Sequence, residues 1–360
     1  MIELFNRWFQ RHFSDPQIIF LVVFLILSFT IVIAFNDTLA PVFAAIVIAY
    51  LLEGLVVFSS RWLKPRLISV IIVFVGFLAM LLITMFVITP LLWEQVTELI
   101  KDTPRYVQQG RDLLLQLPSN YSFISEDFVL EFIALIQSEV TSMGKHVLTF
   151  SLSSIQSSIT IMIYLILAPL LVFFFLKDKD KILGWFVRFF PEDTQLSTKV
   201  WREMDLQIGN YVRGKFWEIT IISVICYITF SLLGLRYSLL ISILVGLSVV
   251  VPYIGATVVT IPVALIAFFQ WGWGPDFAWI MIAYGIIQAL DGNVIVPLLF
   301  SEVVNIHPVA IIVAILFFGG LWGFWGVFFA IPLGTLVNSV IRAWPSLPDE
   351  PEEQLVVEDK

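Results

Sequence analysis

The chain has 360 residues, 59% of them hydrophobic, and carries only 20 basic and 28 acidic residues, about half the charged share of a soluble domain. That composition excludes an ordinary cytoplasmic enzyme, the single cysteine, Cys226, excludes an internal disulfide, and no basic tract is long enough to bind nucleic acid. Apolar runs of 18 or more residues recur along almost the whole length. In lipid every backbone polar group needs an internal partner, so continuous runs of this kind predict an all-α polytopic membrane protein of about eight hydrophobic helical segments.

In chain order, Met1 to Gln17 is an amphiphilic tail, and no small-residue cleavage site follows the first apolar run. Runs at Ile18–Phe35 and Leu39–Phe58 flank Asn36-Asp37 and read as a transmembrane hairpin. Arg7 and Arg11 precede it and Arg61, Lys64 and Arg66 follow it, which puts the N-terminus and that loop in the cytoplasm by the positive-inside rule. Residues 1–93 are thus an N-terminal group of segments, closed by the run Leu67–Trp93. Residues 94–154 hold eight acids against four bases and are expected to form a small extracytoplasmic helical cap. Val129, Phe132, Ile133, Ile136, Val140 and Met143 mark one helical face there, after Glu126 and Asp127 and before Gly144. Thr103-Pro104 reads as the start of another cap helix.

Residues 155–215 comprise the run Ile155–Leu176, interrupted by Pro169, and a charged stretch to Lys215 expected to be cytoplasmic. In that stretch Leu196, Val200, Met204, Ile208 and Tyr211 recur at helical spacing, as in an interfacial or a solvated connector helix. Residues 216–343 form the expected transport core, nearly all apolar, with breaks at 234–237, 270–276 and 301–308. Two of its segments, Leu239–Phe269 and Val309–Ile341, exceed the length of one crossing and contain Pro252, Gly255 and Pro262, or Gly319, Gly320, Gly323, Gly326 and Pro332. Each is a broken span or a re-entrant hairpin. Residues 344–360, with six acids and three prolines, read as a disordered acidic cytoplasmic tail. Trp62, Trp93, Trp217, Trp271, Trp273 and Trp344 stand at run ends, as interfacial anchors do.

Chemistry has few places to reside. Gly209 to Lys215 matches the spacing of a phosphate loop, but Phe216 stands where a hydroxyl must ligate magnesium and no strand precedes it. His12, His146 and His307 lie apart, so no metal site is expected, and no nucleophile motif supports an enzyme. Gln288, Asp291 and Asn293, followed by Pro297, lie inside an apolar run. A carboxylate there costs about 2.5 to 3.5 kcal/mol on insertion scales and marks a functional position by default. Pro297 leaves the carbonyl near Asn293 without its helical donor, so a broken helix facing a substrate or ion path is expected, against a kink that only bridges helices. Glu53 is expected to snorkel from the inner end of its run.

The strings Gln288-Ala-Leu-Asp-Gly-Asn-Val-Ile-Val-Pro297, Val304-Asn-Ile-His-Pro308, Phe318-Gly-Gly-Leu-Trp-Gly323 and Ala330-Ile-Pro-Leu333 resemble the signature of the AI-2E family, the autoinducer-2 exporters of bacteria, and within it the PerM permease branch. Ala49-Tyr-Leu-Leu52, Tyr211-Val-Arg-Gly214 and Val251-Pro-Tyr-Ile-Gly255 extend the resemblance over nearly the whole chain. It implies a multi-pass protein of the bacterial inner membrane, surrounded by lipid and assembled as a homo-oligomer, with a pentamer expected. The reading is a permease exporting a small polar solute, such as an autoinducer-2-like signal; the alternatives are a sodium or lithium/proton antiporter and a non-transporting envelope scaffold. No cofactor is expected beyond a coupling H+ or Na+. Asp291 is the expected proton or cation carboxylate, Gln288 and Asn293 its neutral ligands, and Pro252, Gly255, Pro297, Gly320 and Pro332 the positions that break helices.

Overall fold

A computed structural model describes residues 27–116, 154–188, 195–252, 254–300 and 307–343, with Val23 and scattered positions between 118 and 142. Among these residues every regular element is helical, and six helices are long and apolar enough to cross a membrane. Large side chains such as Phe86, Trp279 and Leu298 are exposed on them, the pattern of a lipid-facing surface rather than a wet one. This is a polytopic helical membrane protein. Its chain clusters into two compact units, one of residues 1–40, 180–211 and 303–360, the other of residues 41–179 and 212–302.

The larger unit begins in α1 (Asn36–Ser60). The backbone amides of Phe35 and Leu39 donate to Ile31 and Phe35 carbonyls at 3.0 and 2.8 Å, so helical bonding continues past Asn36-Asp37 and the expected hairpin turn is absent. Both residues keep their backbone donors, and nothing in the pair forces a break. α2 (Arg66–Ile83), a π turn (Thr84–Ile88) and α3 (Thr89–Leu115) form one rod of 50 residues, ~75 Å at 1.5 Å per residue. Thr103-Pro104 therefore starts no helix. It lies inside α3, where the Thr103 hydroxyl donates to the Leu99 carbonyl at 2.8 Å.

Of the expected cap face, Val129 and Ile133 are buried, and Ser125 Oγ accepts the Phe128 amide at 3.3 Å. Phe132, Ile136, Val140, Met143 and Gly144 lie outside the described residues, as does the tail at 344–360. α4 (Ser154–Lys177) accommodates Pro169, and α5 (Lys179–Val187) follows. Glu53 is not a snorkelling side chain; it accepts from Arg66 at 2.9 and 3.1 Å and lies 3.5 Å from Lys179, pinning α1, α2 and the start of α5. The expected connector helix and the next span are one uninterrupted helix, α6 (Gln195–Leu232).

Both overlong segments fold back on themselves. α7 (Ser238–Ser248) and α8 (Ile254–Trp271) are antiparallel arms. Eleven residues of α7 reach ~16 Å, about half of the ~30 Å hydrocarbon layer. The tip is closed by Pro252 and by Gly255, where a Cβ would stand 1.7 Å from the Ser248 carbonyl oxygen, so only glycine admits the approach. In the smaller unit α11 (Pro308–Phe328) contains a reversal at Gly323, φ 58° and ψ −135°, and α12 (Ala330–Ala343) returns along it. A Cβ on Gly326 would lie 1.9 Å from the Phe318 carbonyl oxygen, whereas in a straight helix those residues are ~12 Å apart. The hairpin therefore turns at Gly323. A Cβ at Gly320, expected to shape this break, would meet nothing within 4 Å, and Pro332 sits in the first turn of α12, where its missing donor costs nothing.

Between the hairpins the chain runs through α9 (Pro275–Leu290), a second π turn (Asp291–Ile295) and α10 (Val296–Phe300). Each π turn stands two residues ahead of a proline, Pro90 or Pro297. Proline offers no N–H and its ring crowds the carbonyl four residues back, so the preceding turn widens to i, i+5 bonding. The Val296 amide accordingly bonds the Asp291 carbonyl.

Candidate functional site

The core of the larger unit packs α6, the α7–α8 hairpin and α9, through Ile222, Phe230, Val245, Val263 and Ile280 among others. Tyr284 fixes α9 against the hairpin by donating to the Ala256 carbonyl at 3.1 Å while accepting from Thr260 at 3.2 Å. One and two turns further along, Gln288 and Asp291 follow on the same helix. Gln288 lines an open cleft of about 530 Å³ with Ala256, Thr257, Thr260, Ile261, Ala264 and Leu265 of α8. Its amide nitrogen is buried beside the Tyr284 hydroxyl without a hydrogen bond of normal geometry.

Asp291 opens the π turn and is 8% exposed, and its Oδ1 finds no hydrogen-bond partner among the described residues. Two further buried charges act on it. Lys215 and Glu218, 4% and 2% exposed, pair on α6 at 2.7 Å, close enough for the ammonium to favour the Asp291 carboxylate and for that carboxylate to repel Glu218. Lys215 Nζ also donates to the Val249 carbonyl at 2.7 Å, at the tip end of α7, and lies 5.4 Å from the centre of the Phe300 ring. The ammonium thus meets the negative end of the α7 dipole and one of its orphan carbonyls.

Of the sequence-predicted residues, Asp291 and Gln288 are brought together beside the hairpin whose tip holds Pro252 and Gly255. Asn293 is not: it is exposed, and its amide donates back to the Ala289 carbonyl at 2.8 Å. It thus satisfies its own helix rather than facing the cluster. Sequence reasoning missed Lys215 and Glu218. Their signal was a basic and an acidic residue three apart, at the mouth of an apolar run, in a string with no loop to make it a phosphate site.

The far end of the hairpin is braced separately. Arg236 pairs with Asp102 at 2.9 Å, Tyr237 donates to the same carboxylate, and Gln95 accepts the Leu240 amide at 2.9 Å. Gln270 accepts the Arg236 amide and donates to the Gly234 carbonyl, both at 2.8 Å. Burial, followed by the bond to Asp102, pushes the Tyr237 phenol up from its usual range. The long rod of α2 and α3 therefore holds the open end of the hairpin while Lys215 holds its tip.

A multi-pass helical protein with a charged cluster buried between a broken helix and a hairpin tip has the construction of a membrane transporter. The chain belongs to the AI-2E transporter family, whose profile, described as AI-2E family transporter, matches residues 18–346. It is 46% identical to PerM of Escherichia coli (strain K12) over 352 residues, 96% of this chain and 98% of the relative. YueF of Bacillus subtilis (strain 168) is 26% identical over 91% of this chain and 92% of its own. The AI-2 transport protein TqsA of Escherichia coli (strain K12) is 21% identical over 85% of this chain and 86% of its own.

Proposed function

We propose that the protein is a secondary transporter that exports a small polar solute across the bacterial inner membrane by alternating access, without ATP hydrolysis. The observation that carries this reading is Asp291: a carboxylate buried in an apolar helix, at a π turn, with an oxygen left unpartnered among the described residues. Packing alone is a poor use of so costly a group. A proton or a monovalent cation completes it, and the cleft beside Gln288 offers polar and apolar surface to a small solute. An autoinducer-2-like molecule is the first candidate, supported by the name of TqsA. A sodium or lithium/proton antiporter is the second reading, favoured by the same unpartnered oxygen, since an uncharged polyol needs no carboxylate. Purified protein in liposomes, under an imposed proton or sodium gradient, tests both against small metabolites and monovalent cations. Gradient-driven flux of one of them is the expected result; a protein that moves none in either direction contradicts the proposal.

The charge pattern supports an orientation with Lys101 and Lys145 outside and Lys64, Lys179 and the C-terminal tail in the cytoplasm. Single cysteines at these positions in a Cys226→Ala background should follow that map when intact cells are treated with a membrane-impermeant thiol reagent. Labelling at 64 or 179 with protection at 101 would invert it.

The expected homo-oligomer finds support in the broad exposed apolar surface, which offers area for one. Native mass spectrometry in mild detergent should give a multiple of the 41.0 kDa chain, five being the expected number. A monomer that transports would refute this assembly.

A further inference from the structure

A monovalent cation held at membrane depth is bound by carbonyl oxygens freed at a broken helix, together with carboxylates, which replace its hydration shell. Such a donor set exists in this protein and is already occupied. The Val249 carbonyl at the hairpin tip and the Glu218 carboxylate both lie 2.7 Å from Lys215 Nζ, the Phe300 ring flanks it at 5.4 Å, and the ammonium is near enough to Asp291 to favour its ionised form without bonding it. We infer that the Lys215 ammonium is the resident occupant of the cation position, so that the site exchanges a single proton at Asp291 and rejects sodium and lithium. This rests on the reading of Asp291 as the coupling carboxylate and decides between its two candidate ions.

The charge count agrees. One ammonium faces two carboxylates, which leaves one negative charge, and one proton on Asp291 neutralises the cluster. A sodium ion entering with Lys215 in place would have to share the Val249 and Glu218 oxygens with a cation that never leaves the chain. The other titratable groups facing the cluster are few. Cys226 on α6 lies buried in the same core and within the field of Asp291, and Tyr284 on α9 faces Gln288, while the hairpin from 238 to 271 carries no ionisable residue besides Tyr253. A purely structural Lys215–Glu218 pair would need no third charge and would leave no reason for an unpartnered oxygen on Asp291.

The test uses purified full-length protein in detergent, with thermal unfolding followed in sodium, lithium or choline chloride at equal ionic strength. The wild type should unfold at the same temperature in all three salts. Lys215→Ala and Lys215→Ser vacate the position, so each should gain a saturable stabilisation by sodium that choline does not give. That gain should vanish when Asp291→Asn is added. Saturable stabilisation of the wild type by sodium or lithium would overturn the inference while leaving ion coupling at Asp291 intact. A Lys215 variant that folds and stays indifferent to sodium would overturn it as well. Should neither variant fold in any salt, the wild-type comparison still decides: indifference to all three salts supports proton exchange, and sodium dependence refutes it. The wider transport reading is tested independently, by flux through Asp291→Asn.

Discussion

Lys215→Met, measured in choline buffer, should destabilise the protein by about 3 to 5 kcal/mol, the usual consequence of leaving one partner of a buried ion pair alone. Glu218 is 2% exposed, and its carboxylate pairs with that ammonium at 2.7 Å. The Val249 carbonyl at the hairpin tip loses a donor in the same step. Lys215→Met combined with Glu218→Leu removes both charges and should recover most of the loss, because an apolar pair of similar volume needs no desolvation energy repaid. Thermal or denaturant unfolding of the two single variants and the double variant measures the coupling. If the double variant is as unstable as the sum of the singles, the two charges do not act as a pair.

The second large effect is expected at the hairpin turns. Gly255→Ala and Gly326→Ala place a Cβ 1.7 and 1.9 Å from backbone carbonyl oxygens, those of Ser248 and Phe318. No side-chain rotation relieves a clash with backbone, so the arms must part, at a cost of about 3 kcal/mol or more, and transport should fall with stability. Gly292→Ala and Gly320→Ala are the matched controls. Nothing lies within 4 Å of a Cβ at either position, and in a helix alanine gains up to about 1 kcal/mol over glycine. A Gly255→Ala or Gly326→Ala protein as stable as these controls would mean that the arms are not packed as described.

These contrasts also show how far a sequence carries such a protein. Composition and run length suffice for the helical membrane class, and the polar residues 288–293 stand out because carboxylates are rare in apolar runs. The two overlong segments announce a break, but not its form. The four glycines at 319, 320, 323 and 326 are not equivalent, a Cβ at 320 meeting only open space, and only the backbone at Gly323, at φ 58°, identifies the reversal.

Polar pairs mislead in the other direction. Asn36-Asp37 and Thr103-Pro104 look like a turn and a helix start, yet helical hydrogen bonds pass through both, because packing and continuity outweigh weak local preference. Lys215 and Glu218 were hidden by their neighbours: they follow a stretch dense in charge and read as its end. Their role depends on a carbonyl 34 residues away, a relation that no local pattern encodes.

The central claim is that Asp291 carries the coupling proton. Asp291→Asn keeps the shape and a hydrogen-bonding amide and removes the titratable charge, so gradient-driven flux in liposomes separates carrier from packing residue. Proton-driven flux should collapse in Asp291→Asn while expression, oligomer size and unfolding temperature stay near those of the wild type. Normal transport by Asp291→Asn, with an unchanged dependence on pH, would contradict it.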